Sequence, residues 1–282
     1  MNPTTLESRI EPRPFSGTGN VFAIVDAMRT PPPADPAALA RALCSREADG
    51  RRLDGVLVVR PSSKGADCAM EIYNSDGSRA ETCGNGLRCV AKWIVDKGYV
   101  RGRAFTIASD AGIATAEVEQ RDGRVTRARV GMGRPRSCAL RESLDVEGST
   151  LAVANVDMGN PHCVLTVADE RNARVETLGP KIETHPRFPR GTNVGFLASR
   201  GGRLHLRVWE RGVGETMACG SGACAAAWVA VERGLATWPV RLVVPGGELE
   251  VDRAEDGTLE LSGAVEELDS PAWQELLRTA RA

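Results

Sequence analysis

Two cysteines stand at matching places in this chain, each opening a glycine-rich turn: Cys83-Gly84-Asn85-Gly86 and, 136 residues later, Cys219-Gly220-Ser221-Gly222. An apolar run follows each and reaches a glycine, Gly98 or Gly234, which suits a helix that starts at the cysteine and stops at the glycine. A thiol at a helix start meets backbone N–H groups left without helical partners and the positive end of the helix dipole. Its thiolate is thereby stabilised, and its pKa is expected to fall below the free value of about 8.5. Placed on opposite faces of one α-carbon, one sulfur as thiolate can remove the proton while the other, as thiol, delivers a proton to the far side, and the stereocentre inverts. Gly84, Gly86, Gly220 and Gly222 clear side chains from the first turns, so that backbone donors can close on a carboxylate. That carboxylate becomes enediolate-like as the proton leaves, and the same donors then bind it more strongly than in the ground state.

Such a step calls for no metal and no organic electron sink. The basic residues are nearly all arginine; Lys64, Lys92, Lys97 and Lys181 are the only lysines, which leaves few candidates for a Schiff base and speaks against pyridoxal phosphate. Four zinc ligands drawn from Cys83, Cys89, Cys219 and Cys224 would be spaced C-x5-C and C-x4-C within helices, with no C-x-x-C knuckle, so no metal site is expected. A Cys83 to Cys219 disulfide suits facing sulfurs but not a reducing compartment, and reads as an inactive oxidised form. Cys44, Cys68, Cys138 and Cys163 sit in apolar or mixed contexts and are expected to be small packed residues, as are Cys89 and Cys224.

The elements that must hold the two turns come from the hydrophobic pattern. Short strands separated by Gly, Asp and Pro are expected over 21–26, 56–60, 68–73, 105–108, 113–119 and 125–130, then over 151–156, 163–167, 204–209, 240–244 and 248–251. Helices are fewer: 36–44, the two that follow Cys83 and Cys219, and a short last one over 271–280. The two cysteine helices are copies of one design. Asp96-Lys97-Gly98 falls opposite Glu232-Arg233-Gly234 and Ala91 opposite Ala227 at the same offset of 136, while Gly19-Asn20 matches Gly159-Asn160 at an offset of 140. A duplicated domain follows, with the equivalent helix starts meeting in the cleft between the halves.

The 282 residues suit two domains of ordinary size, and a net charge of −1 carries no nucleic-acid footprint. Small-molecule partners are expected. The start of the chain, Met1 to Phe15, is polar and proline-bearing, and no stretch approaches the roughly 20 apolar residues of a membrane span, so a cytoplasmic protein that meets no membrane is expected. Eight cysteines fit reduced thiols of an intracellular enzyme better than a disulfide-stapled secreted module. Whether the chain forms a homodimer stays open.

The segments Asn74-Ser-Asp-Gly-Ser-Arg-Ala-Glu-Thr-Cys83-Gly-Asn-Gly-Leu-Arg-Cys and Glu210-Arg-Gly-Val-Gly-Glu-Thr-Met-Ala-Cys219-Gly-Ser-Gly, with Gly159-Asn-Pro-His162 and Arg187-Phe-Pro-Arg-Gly-Thr-Asn-Val-Gly-Phe196 between them, resemble the diaminopimelate epimerase family. The resemblance runs from about Gly17 to about Gly263. It implies an α+β fold of two pseudo-symmetric domains, each a curved mixed or antiparallel sheet wrapped around a central helix, with the active site in the cleft. The domains would be 1–131 and 132–263, with about 264–282 returning to the first. It implies cofactor-independent interconversion of LL- and meso-diaminopimelate, feeding lysine and peptidoglycan synthesis, with Cys83 and Cys219 as the acid/base pair. By motif position, Asn20, Asn74, Asn160, Asn193, Glu210 and Arg211 would contact the substrate, together with the turn residues Gly84, Asn85, Gly220 and Ser221. The chemistry agrees: the substrate's second amino-acid head needs a bidentate carboxylate partner such as Arg211 and an ammonium partner such as Glu210.

Asn20 and Asn160 also read as turn residues, Glu210-Arg211 as a solvated strand end, and His162 equally as a structural hydrogen-bonder. One stretch departs from the family: before the strand near 56 it carries G-x-G-A-D-G, whereas this chain has Gly50-Arg51-Arg52-Leu53-Asp54-Gly55, placing two arginines on a loop expected beside the cleft. Other readings are a racemase of another amino acid within the superfamily, although proline racemases place His where this chain has Asn85, and a non-catalytic thiol or metal-binding module.

Overall fold

The computed structural model describes residues 11–81 and 83–278. Among the described residues, five α-helices punctuate many strands: α1 (Pro36–Cys44), α2 (Gly84–Asp96), α3 (Val175–Glu183), α4 (Gly220–Glu232) and α5 (Pro271–Arg278). The strands expected from apolar runs are all present, most with a residue or two more at their ends. The last helix was expected to reach Ala280; residues 279 and 280 lie outside the described residues, as does most of the polar start of the chain.

Strand pairing repeats in the two halves. In the first, the strand Asn20–Asp26 runs parallel to Gly55–Arg60, which is antiparallel to Cys68–Asn74, which is parallel to Ala104–Ser109, which is antiparallel to Gly112–Arg121. In the second, Pro161–Val167, Asn193–Arg200, Arg203–Glu210, Val240–Val244 and Gly247–Arg253 follow the same order of parallel and antiparallel neighbours. Parallel neighbours need crossovers. Here α1 and α3 occupy one equivalent pair of crossovers, and α2 and α4 the other.

The first set closes on itself. Arg124–Gly131 pairs with Gly112–Arg121 on one side and with Leu259–Glu267 on the other, and that last strand also pairs through residues 265–267 with Arg13–Gly17, which returns to Asn20–Asp26. Residues 259–263 of the same strand pair with Gly247–Arg253, so it serves both halves. α2 packs against strands around this ring, and α4 against strands of the second set.

Both central helices are buried almost along their length, as helices surrounded by strands must be. Their ends are built alike. Gly98 and Gly234 adopt φ of +70° and +71°, and each helix stops with the double bond of a Schellman turn: Tyr99 N–H to Ile94 O and Gly98 N–H to Val95 O in α2, Leu235 N–H to Ala230 O and Gly234 N–H to Val231 O in α4. The largest apolar cluster holds residues of both helices, Trp93 and Ile94 alongside Ala226 and Val229. Among the described residues, no helix is long and apolar enough to cross a membrane.

Candidate active site

Cys83 and Cys219 are the N-cap residues of α2 and α4, each in extended backbone. The Cys83 sulfur accepts from the Gly86 N–H at 3.5 Å and from that of Asn85, while Cys219, whose side chain makes no cap hydrogen bond, lies 3.8 Å from the Ser221 hydroxyl. The helix starts abut: a β-carbon on Gly220 would sit 3.4 Å from the α-carbon of Gly84 and 3.6 Å from Asn85 Oδ1. The strand pattern thus brings together the two turns that the sequence offset paired.

Burial overturns one expectation from the sequence. The helix-start donors do favour the thiolate, but desolvation outweighs them and pushes the Cys83 thiol up to about 11, with the nearby Glu210 carboxylate adding to the rise. Cys219 is also driven well above its ordinary value, first by burial and then by Glu210, whose carboxylate accepts the thiol's hydrogen bond. Glu210 in turn is raised by burial and accepts from Thr216 Oγ1 at 2.5 Å. In this state Cys219 is the hydrogen-bonded thiol, and Cys83 is the sulfur faced by two backbone donors.

The asparagines form a scaffold around these turns. Asn85, only 2 % exposed, donates from Nδ2 to Asn20 Oδ1 at 2.6 Å and to the Ala218 carbonyl at 2.8 Å, so its side chain spans from one cysteine segment to the other while its N–H stays at the helix start. Asn20 is also bonded to Asp54, a buried carboxylate that accepts from the Val21 N–H at 2.6 Å and is raised by its burial. Asn160 reaches Ser221 Oγ at 3.4 Å and lies 3.0 Å from His162 Nε2. Burial, aided by the charge of Arg211, pulls His162 down to about 3, so the ring is neutral at physiological pH; because Asn160 presents its oxygen, Nε2 carries the hydrogen.

Glu210 and Arg211 lie where a strand ends and a turn begins. Asn193 accepts the Arg211 N–H at 3.0 Å and donates to the Pro161 carbonyl, while the Arg211 guanidinium rests on the Arg190 carbonyl. Glu183, the last residue of α3, brackets this dipeptide, accepting from Trp209 Nε1 at 2.6 Å and from the Gly212 N–H at 2.7 Å. α3 can approach so closely because residue 179 is glycine: a β-carbon there would lie 2.6 Å from the Trp209 ring. Asn74, at the end of its strand opposite Gly55, donates to Ser78 Oγ in the following turn and is not bonded to the other candidate residues.

The sequence reading missed Asp54, Arg88, Glu183 and Thr216. The signal for Arg88 was present as the one cation between Leu87 and Cys89 in an otherwise apolar turn. Arg51 and Arg52, expected beside the cleft, are exposed on a short hairpin with 47–48 whose turn residue Asp49 is tied to Ser270; what reaches the site from this loop is Asp54. Of the cysteines expected to be packed, 44, 68, 89, 163 and 224 are buried, but Cys138 is exposed, because it lies on the largely solvent-facing strand Ser137–Val146. Among the described residues, no group of three or more His, Cys, Asp or Glu is placed to hold a metal ion.

The family model for "Diaminopimelate epimerase" matches residues 15–138 and 154–267. The chain is 42 % identical over 262 residues to the diaminopimelate epimerase of Desulfitobacterium hafniense, a match covering 88 % of this chain and 92 % of that protein. It is 45 % identical over 214 residues to that of Pseudomonas syringae pv. tomato, covering 72 % and 76 %. In fold it is similar to a phenazine biosynthesis protein of the PhzF family from Bacillus anthracis, with TM-score 0.70, 14 % identity and coverage of 93 % and 98 %. It is likewise similar to a hydroxyproline epimerase from Agrobacterium vitis, with TM-score 0.68, 16 % identity and coverage of 97 % and 99 %.

Proposed function

We propose, from the premise that this chain belongs to the diaminopimelate epimerase family, that it inverts an α-carbon of diaminopimelate between the sulfurs of Cys83 and Cys219. Family membership makes it an isomerase of lysine biosynthesis. The interconversion we assign is that of the LL and meso forms, carried out in the cytoplasm.

The observation that supports the two-cysteine step is the contact between the helix starts, which puts two N-cap thiols at one locus with separate sets of backbone donors. The substrate's α-carboxylate docks on the helix-start N–H groups of α2 and α4, at Gly84, Asn85, Gly220 and Ser221. Cys83 as thiolate takes the α-proton from one face, the electron pair moves into the carboxylate, and Cys219 as thiol returns a proton to the opposite face. Afterwards the charge resides on Cys219, and the reverse reaction begins there.

The raised thiols are consistent with this step. Burial keeps both sulfurs protonated, and an incoming ammonium group supplies the positive charge that lets one lose its proton to solvent. The thiolate then forms only where it is used. Glu210 and Thr216 orient the Cys219 proton. His162, being neutral, fixes the Asn160 carboxamide without adding charge. Asn74, Asn160, Asn193 and Arg211 serve the distal amino-acid head.

The repeated pairing order supports two similar domains, 1–131 and 132–263, with 264–282 returning to the first; the shared last strand is the element that returns. Incubating LL-diaminopimelate in heavy water tests the reaction. Inverted product should carry one solvent deuterium at the new centre while unreacted substrate carries little. Inversion that keeps the original proton, or that requires pyridoxal phosphate, would refute the two-thiol mechanism.

A further inference from the structure

We propose that Arg88 is a positioning residue for this reaction, acting through Asn85 to hold the chain just before Cys219 against the helix start that carries Cys83. The proposal rests on the two-cysteine reading above.

Arg88 lies in α2, one turn beyond Asn85, and is 0 % exposed. Among the described residues no carboxylate lies within ion-pair distance of it. Lys92, the other buried cation of the helix and one turn further on, pairs with Asp96 at 2.7 Å. Every acceptor of Arg88 is neutral: Asn85 Oδ1 at 2.6 Å from one terminal nitrogen, Thr18 Oγ1 at 2.9 Å and the Ala264 carbonyl at 3.1 Å from the other. Its Nε has no partner. A guanidinium buried without a counter-charge is costly, and apolar side chains filling the same space would cost less. What apolar groups lack is directed donors.

Those donors decide which way Asn85 faces. A carboxamide is nearly symmetric in shape, and its orientation is fixed by its partners. Because Arg88 donates to Oδ1, both Nδ2 hydrogens must point the other way, one to Asn20 Oδ1 and one to the Ala218 carbonyl. Turned over, the amide would set its oxygen against the Ala218 oxygen, and the segment entering Cys219 would be pushed off. The same guanidinium bonds Thr18, which holds a φ of +53° beside the Gly246 backbone, and the last strand at Ala264. Gly263 leaves room for it: a β-carbon there would come within 2.3 Å of an Arg88 terminal nitrogen. Arg88 therefore joins α2 to the Thr18 turn and to the last strand behind the paired helix starts.

Arg88→Met and Arg88→Lys, assayed in heavy water from both LL- and meso-diaminopimelate, test this. A displaced Cys219 leaves Cys83 able to remove a proton and return deuterium to the same face. Starting from the stereoisomer that Cys83 deprotonates, exchange with retention should therefore rise relative to inversion in Arg88→Met, and from the other it should not. kcat should fall by about 100-fold, the effect of a misplacement near 1 Å, with KM within about twofold. Arg88→Lys, which keeps one donor for Asn85, should recover part of both; it carries the same ratio test should the Met variant fail to fold. The proposal is overturned if kcat stays within twofold of wild type, or if exchange and inversion fall together from both stereoisomers. Wild-type enzyme that inverts without solvent exchange, or a Cys83→Ala variant that still turns over, would instead sink the two-cysteine reading itself.

Discussion

Gly84 and Gly220 abut at the first turns of their helices, and both rest on the same methyl group: a β-carbon on Gly220 would lie 2.8 Å from Leu261 Cδ2, and one on Gly84 3.0 Å from it. Leu261 belongs to the strand shared by the two halves, so one side chain sets how closely the cysteine turns approach. Gly220→Ala should cost about 1–3 kcal/mol as an overpacked site, and should lower turnover by parting the turns. Urea unfolding and steady-state rates check this, and Leu261→Ala in the same chain should restore part of the loss. A variant unchanged in both would mean that the turns are not in contact.

Cys83→Ala and Cys219→Ala should each remove a general acid or base, a loss of at least about 10²- to 10⁴-fold in epimerisation. Far-UV circular dichroism and melting temperature should stay near wild type. Near-normal rates in either variant would rule out the assigned roles.

Glu210→Gln removes the charge that raises both thiols while keeping an oxygen that can accept the Cys219 proton. Loss of the charge favours the thiolate, so the pH midpoint for alkylation by iodoacetamide, read by mass spectrometry at each of the two cysteines, should move down. Turnover should fall at the same time. An unchanged or higher midpoint would contradict the placement of Glu210.

Much of this arrangement was legible in the chain because it is written twice. The offset of 136 residues predicted paired helix starts, and the structure carries the repeat into the stop signals and the order of strand pairing. Other parts were not legible, for physical reasons. Gly179-Pro180 reads as a break, yet lies inside α3, where the missing side chain makes room for Trp209. The strand Ser137–Val146 is mostly solvent-facing and lacks the apolar signal that burial imposes. The thiol shifts were misjudged because helix-start donors are visible in a motif, whereas desolvation is decided by side chains distant in sequence.

His162 has a pKa well below its ordinary 6.5, at about 3, so on acidification the unfolded chain takes up its proton first. Its contribution to stability is complete above about pH 6.5 and is lost as the pH falls toward 3. Over that window wild type should lose up to about 1.4 kcal/mol per pH unit more than His162→Gln. Urea unfolding at intervals of half a pH unit measures the difference, and parallel curves would place a charged, solvated ring at this position.

Glu183→Ala should free the turn at Arg211 and Gly212 by deleting the acceptor for Trp209 Nε1 and the Gly212 N–H. Leaving these donors unmatched should cost about 1–3 kcal/mol. KM should rise more than kcat falls, since the Arg211 turn, and not the cysteine pair, is what loosens. A change confined to kcat would argue against this role.

The ring of strands around α2 is closed by a segment that follows the whole second repeat. Until residues 259–267 leave the ribosome, the edges of Arg13–Gly17 and Arg124–Gly131 have no neighbour between them, and the nascent chain must carry an open sheet while residues 132–258 are made. Truncation before residue 259 would therefore leave an adhesive edge in the N-terminal half, even though none of the removed residues belongs to that half by sequence.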